Sequence, residues 1–181
     1  VGVAGQGPLL ASRILGKVAI KEGYDVKVSE VHGMSQRGGS VVTYVKYGDK
    51  VYSPIIDRGE ADLILAFEML EAMRALPYLK KGGKMIANTQ KMNPMPVITG
   101  AMEYPENIEE KLSAKINLQA VDALSLAEKA GTIKAVNVVL IGLLAKSMDV
   151  DKNVWIDVIK ETVPEKFLDV NIKAFELGYE L

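Results

Sequence analysis

Apolar residues recur at helical spacing close to the start of the chain, directly after a glycine-rich turn. The apolar positions at 10, 14, 15, 18 and 19 predict a helix over residues 8–20. Pro8 suits the first turn of that helix, because its missing N–H would have no partner there. Only Val1 precedes the glycines, whereas a buried strand usually has about five residues. This opening therefore predicts a shortened strand, a glycine loop and a helix.

The next segments change from helical spacing to the alternation that is typical of strands. Gly23 ends the helix, and residues 24–31 alternate in polarity, which completes a predicted β-α-β unit. Residues 40–47 are rich in β-branched and aromatic side chains, and a turn at 48–50 leads into residues 51–54. These two segments predict a hairpin, and with it a mixed sheet.

Strand and helix patterns then repeat along the chain. Strands are predicted at 61–67, 84–88 and 116–121, helices at 68–79, 107–114 and 123–130, and a loop at 93–96. After residue 135 the pattern predicts helices without strands, at 136–148, 151–162 and 165–178. The first of these is apolar on nearly all faces, which indicates burial in the core or under a partner chain.

These patterns predict one α/β domain over residues 1–181. We expect a three-layer, Rossmann-like mixed sheet flanked by helices, with an α/β core over about 1–133 and a helical C-terminal segment over about 134–181.

Composition narrows the classes of function. The chain has 22 Lys and Arg against 23 Asp and Glu, a net charge of −1 and a pI near 6.0, which do not favour nucleic acid or an anionic membrane. The longest apolar stretch, 136–145, is shorter than the ~20 residues of a membrane span. With no cysteine, the chain cannot hold an ordinary iron–sulfur cluster or a disulfide. We expect a cytoplasmic protein that binds no metal itself.

The first candidate site is the glycine turn over residues 2–7. Glycines allow close approach of a ligand, and the N-terminus of the following helix offers N–H groups to a phosphate. Leu10 stands where the dinucleotide fingerprint has its third glycine, and the lysine of a P-loop is absent. A tight structural turn explains the pattern about equally well. Glu30 lies about where a ribose-binding acid would lie, but an ordinary carboxylate at a strand end is the simpler interpretation.

The second candidate is the polar loop that follows residue 30. Its eleven residues, 30–40, combine an acid, an imidazole, a guanidinium, two hydroxyls and three glycines. Arg37 suits a phosphate or carboxylate, and the N–H groups of Gly38 and Gly39 suit an anion. Because this loop and the glycine turn both follow strands, we expect them to face one site. His32 is interpreted as a positional residue rather than a general base.

Three weaker features have structural interpretations. Glu68 and Glu71 begin a predicted helix, where the helix dipole would stabilise carboxylates on a solvated face. Asn88 ends a strand and is interpreted as a turn residue. The methionines Met85, Met92, Met95 and Met102 are interpreted as adaptable core or interface residues.

Two motifs together resemble the gamma-type domain of the 2-oxoacid:ferredoxin oxidoreductases. They are residues 2–7, Gly-Val-Ala-Gly-Gln-Gly, and the more specific string at 29–40, Ser-Glu-Val-His-Gly-Met-Ser-Gln-Arg-Gly-Gly-Ser. Segments 51–54 and 61–67 also lie where that family has them, so the resemblance covers most of the chain. It is most like the indolepyruvate enzymes, in which the beta subunit has this domain. Ala4, where the family often has glycine, and Pro8 are departures that alter how closely a ligand approaches the turn.

The resemblance implies a subunit of a complex that oxidatively decarboxylates a 2-oxoacid, passes electrons to ferredoxin and transfers the acyl group to coenzyme A. It implies that thiamine diphosphate and the iron–sulfur clusters lie in a larger alpha subunit. This chain has no thiamine motif of the Gly-Asp-Gly…Asn kind. The residues expected at the coenzyme or facing the partner's active site are Gly5, Gln6, Gly7, Ser35, Gln36, Arg37, Gly38 and Gly39. No catalytic residue is expected in this chain, and in isolation it is expected to be inactive.

Two alternatives belong to other classes of protein. A stand-alone NAD(P)-dependent oxidoreductase would use the glycine turn and Glu30, whereas a purely structural subunit would serve only assembly through its apolar helical end.

Overall fold

The computed structural model describes residues 1–35 and 38–181, so Gln36 and Arg37 lie outside the described residues. The strands are β1 (Gly2–Val3), β2 (Asp25–His32), β3 (Ser40–Gly48), β4 (Ala61–Ala66), β5 (Leu79–Asn88) and β6 (Asn117–Val121). The α-helices are α1 (Pro8–Lys21), α2 (Met69–Ala75), α3 (Met95–Ile98), α4 (Ile108–Ser113), α5 (Ala123–Ala130), α6 (Val136–Lys146), α7 (Lys152–Thr162) and α8 (Leu168–Tyr179). Short 3₁₀ turns cover Leu76–Tyr78, Ile133–Ala135 and Glu165–Phe167.

The strands form two three-stranded halves that Val1 joins. In one half β3 lies between β1 and β2 and is antiparallel to both, and in the other β4, β5 and β6 are parallel. The Val1 nitrogen donates to the Leu65 carbonyl at 2.8 Å, and the Phe67 nitrogen donates to the Val1 carbonyl at 3.0 Å. This is the hydrogen-bond pattern of parallel strands. The order across the sheet is therefore β2-β3-β1-β4-β5-β6, and the predicted mixed α/β architecture with flanking helices is confirmed.

The predicted hairpin is wrong in one of its strands. β3 pairs with the preceding strand β2, from Asp25 opposite Gly48 to His32 opposite Val41. The described residues 51–54 form no strand. Val51 is instead buried, and its nitrogen donates to Asp25 Oδ2 at 2.9 Å. Pro54 has no N–H to add to a ladder, which is one physical reason for this outcome. The β-α-β unit therefore has β3 inserted between its two parallel strands.

Three other predicted boundaries move. The helix predicted at 68–79 ends as α2 at Ala75, because the segment containing Pro77 tightens into a 3₁₀ turn. β5 then begins at Leu79 rather than at residue 84, with Leu79 paired to Ala61. The loop predicted at 93–96 contains the start of the short helix α3.

The sheet separates two apolar layers. Along β5, Ile86 faces the larger layer, which is built from α1, α5, α6, α7 and α8. Met85 and Ala87 face the smaller layer, which contains α2 and α4. This alternation is the period of two that a strand imposes on its side chains. The central strand β5 is buried on both faces. Its neighbour β4 has the continuous apolar pattern, residues 61–67, that is typical of such a strand.

Helix α6 is buried on every side by the chain itself. All ten residues from Val136 to Ala145 are buried, which confirms the core interpretation of this helix. Its main neighbour is α8, and the two backbones come very close. A Cβ built on Gly142 would lie 2.2 Å from the Phe175 carbonyl oxygen, and one built on Gly178 would lie 2.0 Å from that of Val139. Only glycine allows this contact between the two helices.

Candidate functional site

The candidate site lies at the carboxyl edge of the sheet. Strands β1, β2, β4, β5 and β6 run in one direction, and each therefore ends at this edge, while the antiparallel β3 begins there. In doubly wound sheets this edge is where ligands bind. The two loops predicted to share a site, after β1 and after β2, both lie there.

The first loop takes a backbone conformation that favours glycine. Gly5 has φ 105° and Gly7 has φ 83°, and Gly7 is the N-cap of α1. Gly7 also lies against α6: the Asn137 Nδ2 donates to the Gly7 carbonyl at 3.4 Å. A Cβ on Gly5 would meet nothing within 4 Å, so that part of the loop is open. No side chain of the described residues caps α1, and the amide end of this helix faces the loop.

The second loop meets the first one directly. The Ala4 nitrogen donates to the Gly39 carbonyl at 2.9 Å, next to the β1–β3 pair of Val3 and Ser40. Gly38 has φ 74° and open space around its Cβ position, whereas a Cβ on Gly39 would lie 2.7 Å from the Ser35 carbonyl oxygen. The structure therefore brings Gly5, Gly7, Ser35, Gly38 and Gly39 into one region. Gln36 and Arg37, which the sequence also predicts at this site, lie outside the described residues.

Gln6 and His32 have local contacts within the chain. The Gln6 Oε1 accepts from the Val3 nitrogen at 2.8 Å, and its Nε2 donates to the Phe67 carbonyl at 3.2 Å. The side chain of Gln6 thus ties the glycine loop to the end of β4. The exposed His32 has its Nδ1 3.2 Å from the Gly33 carbonyl oxygen, a contact next to it in sequence.

Glu68 and Glu71 are buried, so the interpretation of a solvated face is wrong. Their exposed fractions are 1% and 3%. Glu68 caps α2, accepting from the nitrogens of Leu70 at 3.0 Å and Glu71 at 2.5 Å, and from the Met92 nitrogen at 3.4 Å. Burial raises the pKa of Glu68, and the nearby Glu71 adds to this, although the backbone donors oppose it. The signal in the sequence was an acid directly between a strand and a helix, which is the N-cap position.

Glu71 has two side-chain partners from different elements. Its Oε2 accepts from the Ser40 hydroxyl at 2.6 Å, and its Oε1 accepts from Arg74 Nη1 at 2.6 Å. Ser40 is the first residue of β3 and directly follows Gly39. Nothing in the sequence pairs residues 31 positions apart, so this contact was missed.

Asn88 is a buried connector rather than a turn residue. Its exposed fraction is 0%. Its Nδ2 donates to the Phe67 carbonyl at 3.2 Å, and its Oδ1 accepts from the Ala123 nitrogen at 3.1 Å. It therefore links the ends of β4 and β5 to the start of α5.

Among the described residues, no three or more His, Asp or Glu side chains form a group that could hold a metal ion. Within the same part of the chain, no helix is long and apolar enough to cross a membrane.

The fold and the site define a three-layer domain in which two joined loops lie at the carboxyl edge of the sheet. The family model described as pyruvate ferredoxin/flavodoxin oxidoreductase matches residues 1–181, and the chain belongs to this family. It is 46% identical over 183 residues to the indolepyruvate oxidoreductase subunit IorB of Pyrococcus horikoshii, which covers 98% of this chain and 91% of that protein. The resemblance drawn from the two motifs is thereby confirmed, and the chain is a subunit of a keto-acid ferredoxin oxidoreductase.

Solved structures have the same fold. The pyruvate oxidoreductase subunit PORC of Thermotoga maritima matches with a TM-score of 0.76 and 21% identity, covering 99% of this chain and 92% of that one. The 2-oxoglutarate:ferredoxin oxidoreductase of Magnetococcus marinus, solved with 2-oxoglutarate, coenzyme A and succinyl-CoA bound, matches with a TM-score of 0.66 and 17% identity. That match covers 99% of this chain but 29% of the other, so this fold is one part of a larger chain there.

Proposed function

We propose that this chain is the small subunit of an oxidoreductase that acts on indolepyruvate or a related aryl pyruvate. The complex decarboxylates the 2-oxoacid, transfers the acyl group to coenzyme A and passes two electrons to ferredoxin. The substrate class rests on the likeness to the indolepyruvate oxidoreductase subunit, which extends over 98% of this chain.

The part of this chain would be to complete the coenzyme A site beside the partner's active site. The observation that carries this proposal is the hydrogen bond from Ala4 to Gly39, which joins the two glycine loops. Coenzyme A carries a diphosphate, and unpaired N–H groups at a helix start and in a glycine loop bind such anions. The open space at Gly5 and Gly38 would let the phosphates approach the backbone. The Magnetococcus enzyme, which contains this fold, binds coenzyme A.

The binding residues we propose are those predicted from the sequence. We propose that the backbones of Gly5, Gly7, Gly38 and Gly39, with Ser35, bind a phosphate of the coenzyme, and that Gln6 holds its loop in place. For Gln36 and Arg37, the proposal rests on the sequence alone.

An iron–sulfur cluster does not fit this chain, and the sequence has no thiamine motif of the Gly-Asp-Gly…Asn kind. It has no cysteine to hold a cluster. We therefore propose that both groups lie in a larger alpha subunit, that ferredoxin reaches this chain only through the complex, and that the isolated chain is inactive. A cytoplasmic location remains a prediction.

Co-expression with the catalytic subunit tests the proposal. We expect a brown complex that reduces a viologen dye when it is given indolepyruvate and coenzyme A. A colourless chain that turns over substrate by itself would contradict the proposal. Tight binding of NAD or NADP to the isolated chain would favour the alternative of a stand-alone dehydrogenase.

Arg37→Ala in that complex tests the role of the second loop. A charge-assisted hydrogen bond contributes about 1.5–3 kcal/mol to binding, so we expect its loss to raise the KM for coenzyme A by about tenfold or more. Arg58→Ala is the matched control, because Arg58 is exposed and precedes β4 at the opposite edge of the sheet. Unchanged KM and turnover in Arg37→Ala would show that Arg37 does not bind the coenzyme. If substitutions in neither loop changed the KM for coenzyme A, a purely structural subunit would be the better explanation.

A further inference from the structure

The loops of the carboxyl edge are fastened to residues 67–71, a turn that follows β4 and includes the first residues of α2. The Gln6 and Asn88 amides both donate to the Phe67 carbonyl, each at 3.2 Å. The Met69 nitrogen donates to the Gln90 carbonyl at 3.0 Å, and Glu68 accepts from the Met92 nitrogen. Loops from β1 and β5 thus depend on one short turn.

The second glycine loop is fastened to the same turn through Ser40. The Ser40 hydroxyl donates to Glu71 Oε2 at 2.6 Å, across 31 positions in sequence. Ser40 follows Gly38 and Gly39 directly, so its position limits where these two glycines lie. Gly38 has a left-handed φ and open space around it, and this contact limits its freedom at one end.

The contact between Ser40 and Glu71 is buried at its carboxylate end, whereas Ser40 lies at the exposed start of β3. Glu71 is 3% exposed, and its other oxygen is held by Arg74 at 2.6 Å. A hydrogen bond to a charged group contributes more than one between neutral groups. Because Ser40 and Arg74 donate to the same carboxylate, loss of the Ser40 hydrogen bond would also change the contact between Glu71 and Arg74.

We propose that Ser40 and Glu71 are positioning residues, which hold Gly38 and Gly39 close to α2 and thereby set the affinity of the site for coenzyme A. This inference rests on the proposed function of the site. Neither side chain is required to touch the coenzyme, since both act through the backbone of Gly38 and Gly39.

The test uses the co-expressed complex and steady-state kinetics in coenzyme A and in the 2-oxoacid. In Ser40→Ala we expect the KM for coenzyme A to rise about tenfold, with kcat and the KM for the 2-oxoacid within about twofold of wild type. Ser40→Thr keeps the hydroxyl and is expected to restore the KM. Thr43→Val is the matched control. It removes a hydroxyl from the same strand, but the Thr43 hydroxyl donates to Glu30 at 3.5 Å and not to Glu71.

Glu71→Gln provides a second variant with nearly the same shape. We expect it to raise the same KM, because the amide lacks the charge that strengthens the hydrogen bond from Ser40. The double variant with Ser40→Ala should have a KM no higher than that of the more affected single variant, since both changes act on one contact. Additive effects of the two changes would overturn the pairing. An unchanged coenzyme A KM in both single variants would overturn the positioning role. If the wild-type complex instead turned over without any dependence on coenzyme A, the proposed function itself would be wrong, and this inference with it.

Discussion

Glycine is used for opposite reasons in two regions of this protein. In the loops of the carboxyl edge, Gly5 and Gly38 have left-handed φ values of 105° and 74° and nothing within 4 Å of a Cβ position. Between α6 and α8, Gly142 and Gly178 lie within helices, but a Cβ there would come within 2.2 Å and 2.0 Å of a facing carbonyl oxygen. The first pair needs conformational freedom and the second pair needs space.

The difference separates a region built for a ligand from a region built for packing. Open space beside a glycine loop leaves backbone N–H groups accessible, whereas two helices in contact exclude everything else. The two regions meet at Gly7, which has both properties: its φ is 83°, and a Cβ would lie 2.6 Å from Asn137 Nδ2 on α6. The glycine loop is therefore held by the most tightly packed helix of the core.

The largest effect is expected for Gly178→Ala and Gly142→Ala. A methyl group at either position would push the two helix backbones apart, and overpacking of this kind costs about 1–3 kcal/mol or more. Gly16→Ala is the matched control within a helix, because its Cβ would lie at an ordinary 3.5 Å from Val28 Cγ2. That control should be neutral or stabilising by up to about 1 kcal/mol. Urea unfolding of each variant measures the difference, and equal effects at positions 16 and 178 would break the distinction.

A smaller effect is expected for Gly38→Ala. Here the methyl group has room, and the cost of about 1–2 kcal/mol comes from the left-handed backbone alone. Asparagine tolerates this conformation better than alanine, so Gly38→Asn should recover part of the loss. The same substitution to asparagine at Gly178 should recover nothing, because space is lacking there. Comparing the free energies of unfolding of the alanine and asparagine variants at both positions separates strain from crowding.

The smallest effect is expected in the pH dependence of stability, at Glu68. Its pKa is raised in the folded protein, mainly by burial. A group with a raised folded pKa contributes stability below its unfolded pKa, which is lost as pH rises through the folded value. Wild type should therefore lose some stability above the ordinary Glu pKa of 4.5, and Glu68→Gln should lose less. Denaturant unfolding between acid and neutral pH tests this: parallel profiles of wild type and Glu68→Gln would contradict it. The Gly142→Ala variant should keep the profile of wild type.

Local signals were sufficient for much of the fold. Helix α5 begins and ends where its pattern predicts. The helix predicted at 151–162 forms as α7, and Asp151 caps it by accepting from the Asn153 nitrogen at 2.7 Å. The uniformly apolar α6 is buried on all sides. These features depend on neighbours within a few residues, so a single sequence contains them.

Strand pairing and the roles of buried polar residues were not local. Residues 51–54 have the composition of a strand, but β3 pairs with β2 and leaves them out. Glu71 has the pattern of a solvated helix start, yet its partner Ser40 comes from another strand. Each depends on which segment lies beside which, and loop closure between distant residues leaves no trace in local composition.

By itself, the sequence determined the class of domain, the family and the two glycine motifs, because propensity, periodicity and motif spacing are properties of short segments. Tertiary structure alone decided that a hydrogen bond from Ala4 to Gly39 joins the two loops and that Glu68 and Glu71 are buried. It also decided that glycine provides conformational freedom at Gly5 and Gly38 but close packing at Gly142 and Gly178. Those outcomes depend on what a side chain meets across the fold, and only packing sets that.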